Sequence, residues 1–160
     1  MKASHWIIAA VAFVCAQPVQ AGVNDPEVLI YRVSGVFDSG GVAFQGSATA
    51  FVCTNFSGVP ENIRFVIRTD TGAIVANQTL PVPLPHLNTG TAVTKQIGLF
   101  SNAFVFNGSG TGAVGQGTVA IAATSINVTC TALLIQANLP TPEGVTLHMT
   151  RFSPIAATQE

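Results

Sequence analysis

The amino-acid sequence predicts an all-β fold: a single antiparallel β-sandwich of about eight or nine strands, immunoglobulin-like in architecture, with one inter-strand disulfide. Three observations lead there. No long 3.6-residue periodicity runs through residues 22–160; short stretches rich in Val, Ile, Phe and Thr are cut by Gly, Pro, Asn and Asp instead. The cuts recur roughly every 8–12 residues, the spacing of sandwich strands. Two cysteines, Cys53 and Cys130, fall inside such stretches.

Leu29, Tyr31, Val33 and Phe37 share one face of a first strand, with Arg32 and Ser34 opposite. Residues 43–54 form a second strand carrying Cys53. Ile63, Phe65 and Ile67 alternate with Asn62, Arg64, Val66 and Arg68, which makes a half-buried strand with a basic outer face. Asp70-Thr71-Gly72 turns the chain, Gly72 being free to take positive φ, and residues 73–80 return as the partner strand. Pro81, Pro83 and Pro85 end it, since proline has no N–H for a ladder. Residues 91–100 and 103–107 are further strands, followed by a Gly-rich loop over 108–117. Residues 118–124 put Val119, Ile121 and Ala123 on one face. Residues 127–137, with Cys130 and the run Ala132-Leu133-Leu134-Ile135, are apolar on both faces and suit a central strand. Residues 145–152 close the domain. No linker and no internal repeat interrupts it.

Residues 1–21 have the pattern of a signal peptide: Lys2, the ten-residue apolar stretch Trp6–Cys15, Pro18, and Val19-Gln20-Ala21 before a cleavage point. The apolar stretch is too short to span a bilayer. The alternatives are a buried N-terminal helix and lipidation at Cys15; the bulky Phe13-Val14 oppose the second. Cleavage leaves 160 less 21, or 139 residues, one domain with one core. Lys2 leaves with the leader, so the formal charge moves from −1 to −2. Secretion or periplasmic release is expected. The two remaining cysteines then favour a disulfide, the alternative being two free buried thiols. Linking the second strand to the penultimate one, it would act as an inter-sheet bridge does in an immunoglobulin sandwich. The immunoglobulin family itself is not implied. The only Trp is Trp6, and Val128 stands where a tyrosine corner would need Tyr.

Phe51-Val52-Cys53-Thr54-Asn55, Asn62-Ile63-Arg64, Asp70-Thr71-Gly72 and Val128-Thr129-Cys130-Thr131-Ala132 together resemble a set of small exported bacterial proteins. In these, Cys-Thr-Asn and Cys-Thr-Ala segments recur at similar separation. The resemblance spans most of the chain after the leader. It implies export, a disulfide and a β fold, and it brings no catalytic residue.

Charged residues make up only 8% of the chain. Length, apolar fraction and charge together exclude a large multidomain enzyme, a polyanion binder, a coiled coil and a membrane-spanning protein. Gly110-Thr111-Gly112-Ala113-Val114-Gly115 matches G-x-G-x-x-G, but a dinucleotide site needs those glycines to open a helix, and a β-rich run comes next. A flexible hairpin loop is the expected reading. Cys130, His86, His148 and Met149 have the side chains of a blue-copper site, with the spacing wrong. His148 lies 18 residues after Cys130, and Met149 beside it points to the opposite face of a strand. No metal or cofactor is expected.

For catalysis, no G-x-S-x-G elbow is present. The enzymatic alternative is a small secreted hydrolase using His86 or His148, which would need a cleft where one of them meets a hydroxyl and a carboxylate. Most carboxylates fall at turns or ends. Arg64 and Arg68 share a face with Asn62, too few cations for nucleic acid but enough for an acidic sugar, a lipid phosphate or a partner's carboxylate. Asn55, Asn77, Asn107 and Asn127 each open an N-x-S/T sequon. Phe104 and Phe106 would lie on one side of an extended segment, either as core or as an exposed patch. The expected function is non-catalytic interaction at the cell envelope, as an adhesion or structural module, with a protein or glycan. Arg64, Arg68, Phe104 and Phe106 are the candidate surface. A third class, a subunit that self-assembles by strand exchange, predicts concentration-dependent association.

Overall fold

Ten strands build two five-stranded sheets in a computed structural model, which describes residues 22–139 and 143–152. Residues 1–21, read from sequence as a signal peptide, lie outside the described residues. The strands are β1 (Val28–Asp38), β2 (Ser47–Asn55), β3 (Ile63–Arg68), β4 (Ile74–Thr79), β5 (Thr89–Val93), β6 (Phe104–Val105), β7 (Val114–Ala123), β8 (Val128–Gln136), β9 (Gly144–Thr146) and β10 (Met149–Arg151). The first sheet runs β10-β1-β7-β3-β4 and the second β6-β5-β2-β8-β9. Every pairing is antiparallel except the short β5–β6 contact.

The sheets face each other across one core. Val33, Ile63, Phe65, Ile67, Val119 and Ile121 point into it from the first sheet, Phe51, Cys53, Val128, Cys130 and Ala132 from the second. The period-2 alternation read along residues 62–68 and 118–124 is the inward stripe of β3 and β7. Phe51, Phe65 and Phe106 stack across the gap, with ring centroids 5.5–6.2 Å apart. Three rings in such edge and tilted contact bury a large share of the apolar surface.

In β1 the alternation breaks. Gly35 takes φ 79°, and the pairing with β7 shifts between Ser34 and Val36. A glycine bulge of this kind flips the facing of the residues after it. Val36 and Asp38 therefore turn inward, and Phe37 is only half-buried, where simple alternation placed it in the core.

The second sheet departs from expectation at its ends. β2 begins at Ser47, because residues 39–46 form a loop containing Gly40, Gly41 and Gly46, all at positive φ. β5 stops at Val93. The next residues fold over the outer face of the second sheet instead of continuing as a strand. There Ile97, Leu99, Phe100 and Ala103 cover Ala48, Ala50, Leu133 and Ile135 in a second, smaller core. This cover is why β8 is apolar on both faces. The closing segment is two strands: β9 joins the second sheet and β10 the first.

Cys53 and Cys130 form the disulfide, with Cα atoms 4.0 Å apart. They are direct partners in the β2–β8 ladder. The bridge ties neighbouring strands of one sheet, and the expectation that it spans the two sheets is corrected. Phe56 N–H donates to Asn127 O just beyond the Asn55–Val128 pair. Counting back by twos makes Cys53–Cys130 a non-hydrogen-bonded pair, the narrower of the two antiparallel pairings, where side chains lie closest.

Candidate functional site

The outer face of the first sheet gathers three of the arginines, Arg32, Arg64 and Arg68. Register places Thr150, Arg32, Ala120, Val66 and Asn77 in one row across five strands. Arg64 lies in the row on one side, beside Ala122, and Arg68 in the row on the other, beside Thr118. Three guanidinium groups therefore surround a shallow floor made by Ala120 and Val66. The central strand β7 presents only small side chains here, so long arginines on its flanks stand above it.

Each arginine is held in place. Arg64 Nε donates to the Glu27 carboxylate and its Nη1 to Asn77 Oδ1 at 3.2 Å. Arg68 Nη1 donates to Gly72 O at 2.9 Å, within the turn that Gly72 closes at φ 85°. The Arg32 guanidinium lies 5.8 Å from the ring centroid of Phe152, which is 40% exposed. A cation over an aromatic face is attracted by the ring quadrupole. The expected basic face is present, and Arg32 extends it. Arg32 was legible only as the polar side of the first strand, because its membership depends on β1 and β3 flanking the same strand.

His148 stands at the edge of this face. A recess of about 260 Å³ is lined by Arg32, Ser34, Thr118, His148 and Thr150 side by side. Among the described residues, no carboxylate lines it. His86 lies elsewhere, in the loop after β4, where its Nδ1 accepts the Gly58 N–H at 3.0 Å. Neither histidine meets both a hydroxyl and a carboxylate among the described residues. Cys130 is consumed by the disulfide, and no group of three or more His, Cys, Asp or Glu side chains converges among the described residues.

The phenylalanines separate. Phe106 is fully buried and is withdrawn from the candidate surface; its ring packs in the core against Phe51, Phe65 and Phe104. Phe104 is half-buried against the same core. The glycine-rich segment is a loop that enters a strand: Gly110 and Gly112 have positive φ, and Gly115 already belongs to β7. Gly110 is required there, since a Cβ would lie 2.7 Å from Thr94 O. Of the sequons, Asn55 is buried and donates through Nδ2 to Val59 O and Leu84 O.

A buried ion pair and a buried carboxylate escaped the sequence reading. Lys95 is 3% exposed and contacts Asp38. Glu61 is fully buried at the opposite end of the sandwich, where Oε2 accepts from Thr124 Oγ and Oε1 has no partner among the described residues. No local pattern marks either one; both depend on where loops close. Among the described residues, no helix is long and apolar enough to cross a membrane. Comparison with family models, with curated proteins and with solved structures returns no match.

Proposed function

We propose that this chain is an exported, non-catalytic interaction module that engages a protein or glycan at the cell envelope, and that its arginine face binds a partner presenting a few spaced carboxylates. The observation that carries this reading is the grouping of Arg32, Arg64 and Arg68 around Ala120 and Val66 on the outer face of one sheet. Glu27 already occupies one guanidinium, a carboxylate of the chain itself in the kind of contact the face would offer a partner. Three arginines suit a short acidic epitope better than a long polyanion, whose binding grows with many phosphate or carboxylate contacts. Export is supported by the leader-like residues 1–21 and by the disulfide, which persists in oxidising compartments. In this reading the two-sheet body is an immunoglobulin-like sandwich pinned within one sheet. Among the described residues, His86 and His148 lack the carboxylate partner that a hydrolytic site needs, which favours binding over catalysis.

The test titrates the oxidised protein, residues 22–160, with a short uronic-acid oligosaccharide and with a Glu-containing peptide at low ionic strength. Binding of either that weakens with salt and is lost in Arg64→Ala/Arg68→Ala supports the proposal. Equal behaviour of the wild type and the variant removes it.

A further inference from the structure

The outer face of the second sheet has the opposite character. Its register lays out rows across β5, β2 and β8: Thr91, Val52 and Thr131 in one, Thr89, Thr54 and Thr129 in the next. The ladder continues to Phe56, two residues past Thr54, whose N–H still bonds Asn127 O. Phe56 is 53% exposed. None of these positions carries a formal charge. Neighbours in a row stand about 4.8 Å apart and rows about 7 Å apart, as strand geometry dictates.

The face is ordered from behind. Cys53 and Cys130 alternate with these residues and point inward, so the disulfide lies directly under the threonine rows. Thr54 and Thr89 form a narrow pair, and their hydroxyls bond each other at 2.8 Å. Thr129 and Thr131 are exposed. On the β5 side the rows open into a recess of about 340 Å³ between Thr89–Thr91 and the segment 99–103, where Ser101 and Asn102 add a hydroxyl and an amide.

We propose that this threonine face is a second binding site, and that its ligand is a neutral glycan. Each threonine hydroxyl donates and accepts, as each sugar hydroxyl does, so the two surfaces match without burying an ion. Phe56 supplies an apolar ring for the C–H face of a pyranose. Threonine is stiff at χ1, and a cross-linked sheet holds it further, so little side-chain entropy is lost on binding. The recess receives a sugar unit beyond the flat rows. The site shares no residue with the arginine face and stands whether or not that face binds carboxylates.

The experiment is native electrophoresis of the oxidised protein, residues 22–160, through gels containing a soluble mixed-linkage β-glucan, a mannan or a galactan. The protein is retarded by at least one of them. Phe56→Ala and the double variant Thr54→Val/Thr129→Val each weaken the apparent affinity by about tenfold, the size of effect one ring or a pair of hydrogen bonds supplies. Thr→Val keeps shape and β-branching at these sites, and an unchanged unfolding midpoint confirms that the fold is intact. Free migration in all three gels overturns the proposal, as does retardation that survives both the Phe56 and the threonine variants. Sedimentation is the second readout: dimerisation that Phe56→Ala abolishes, with no retardation by glycan, assigns the face to a second copy of the chain and also overturns it.

Discussion

Lys95 Nζ lies 3.1 Å from Asp38 Oδ1, and the two side chains are 4% and 1% exposed. Lys95 comes two residues after β5 and Asp38 ends β1, so the pair joins the two sheets at one end of the sandwich. The same ammonium donates to Ser39 Oγ at 3.1 Å, to Gln45 O at 3.0 Å and to Gly40 O. One cation thus gathers the loop 39–46 from beneath. Phe44 sits in that loop at φ 61°, an unfavourable conformation for an aromatic residue, fixed by its N–H bond to Gln96 O at 3.0 Å.

Removing either partner leaves a buried charge without its counterion. Lys95→Met and Asp38→Asn each lower stability by about 3–5 kcal/mol. The double variant Lys95→Met/Asp38→Asn loses less than the sum, since it buries no charge. Urea unfolding of the four proteins measures the coupling, and additive losses would show that the ion pair contributes nothing as a pair.

The disulfide closes a sequence separation of 77 residues. Chain-entropy arguments give it about 4–5 kcal/mol. Cys53→Ala/Cys130→Ala therefore shifts the urea midpoint sharply downward, as does reduction of the wild type. The proposed export predicts that protein recovered from its own cells begins at Gly22 and takes up an alkylating reagent only after reduction; intact mass spectrometry reads both.

Two phenylalanines separate packing from surface. Phe106→Ala empties the centre of a four-ring cluster and costs about 3–5 kcal/mol. Phe56→Ala stays within about 0.5 kcal/mol, as exposed substitutions do. Thermal and urea unfolding of the two variants check the contrast.

Glu61 presents the reverse of Lys95. Its carboxyl is buried, with Thr124 as partner to one oxygen and, among the described residues, none for the other. Glu61→Gln keeps the shape and removes the charge, and raises stability by about 1 kcal/mol. Thr124→Val removes the one partner and lowers it by about 1–2 kcal/mol. Loss of stability in Glu61→Gln would point instead to a cationic partner for the carboxylate.

The sequence made some of this legible and hid the rest for identifiable reasons. Alternation along residues 62–68 gave β3 its inward Ile63, Phe65 and Ile67, and Asp70-Thr71-Gly72 gave the turn after it, because both signals are local. The cysteine pair was legible as a bond; that it lies within one sheet was not, since strand order is a long-range property. Gly35 signalled a bulge in β1 that simple alternation overlooked, which misplaced Phe37. Ile97, Leu99 and Phe100 looked like strand because apolar runs that cover a sheet resemble apolar runs that join one. Arg64 and Arg68 were visible as a face from spacing alone. Arg32 entered only through the β1–β7–β3 pairing, and the threonine rows only once β5, β2 and β8 were aligned.

β9 and β10 are three residues each, yet they pair with β8 in one sheet and β1 in the other. A single short stretch near the C-terminus therefore shields the flank of both layers. Were it trimmed by a protease, two rows of N–H and C=O groups would be uncovered together. The clipped molecule would be a template on which an incoming extended segment gains hydrogen bonds to both layers, and shelf life outside the cell would depend on how well those few residues resist cutting.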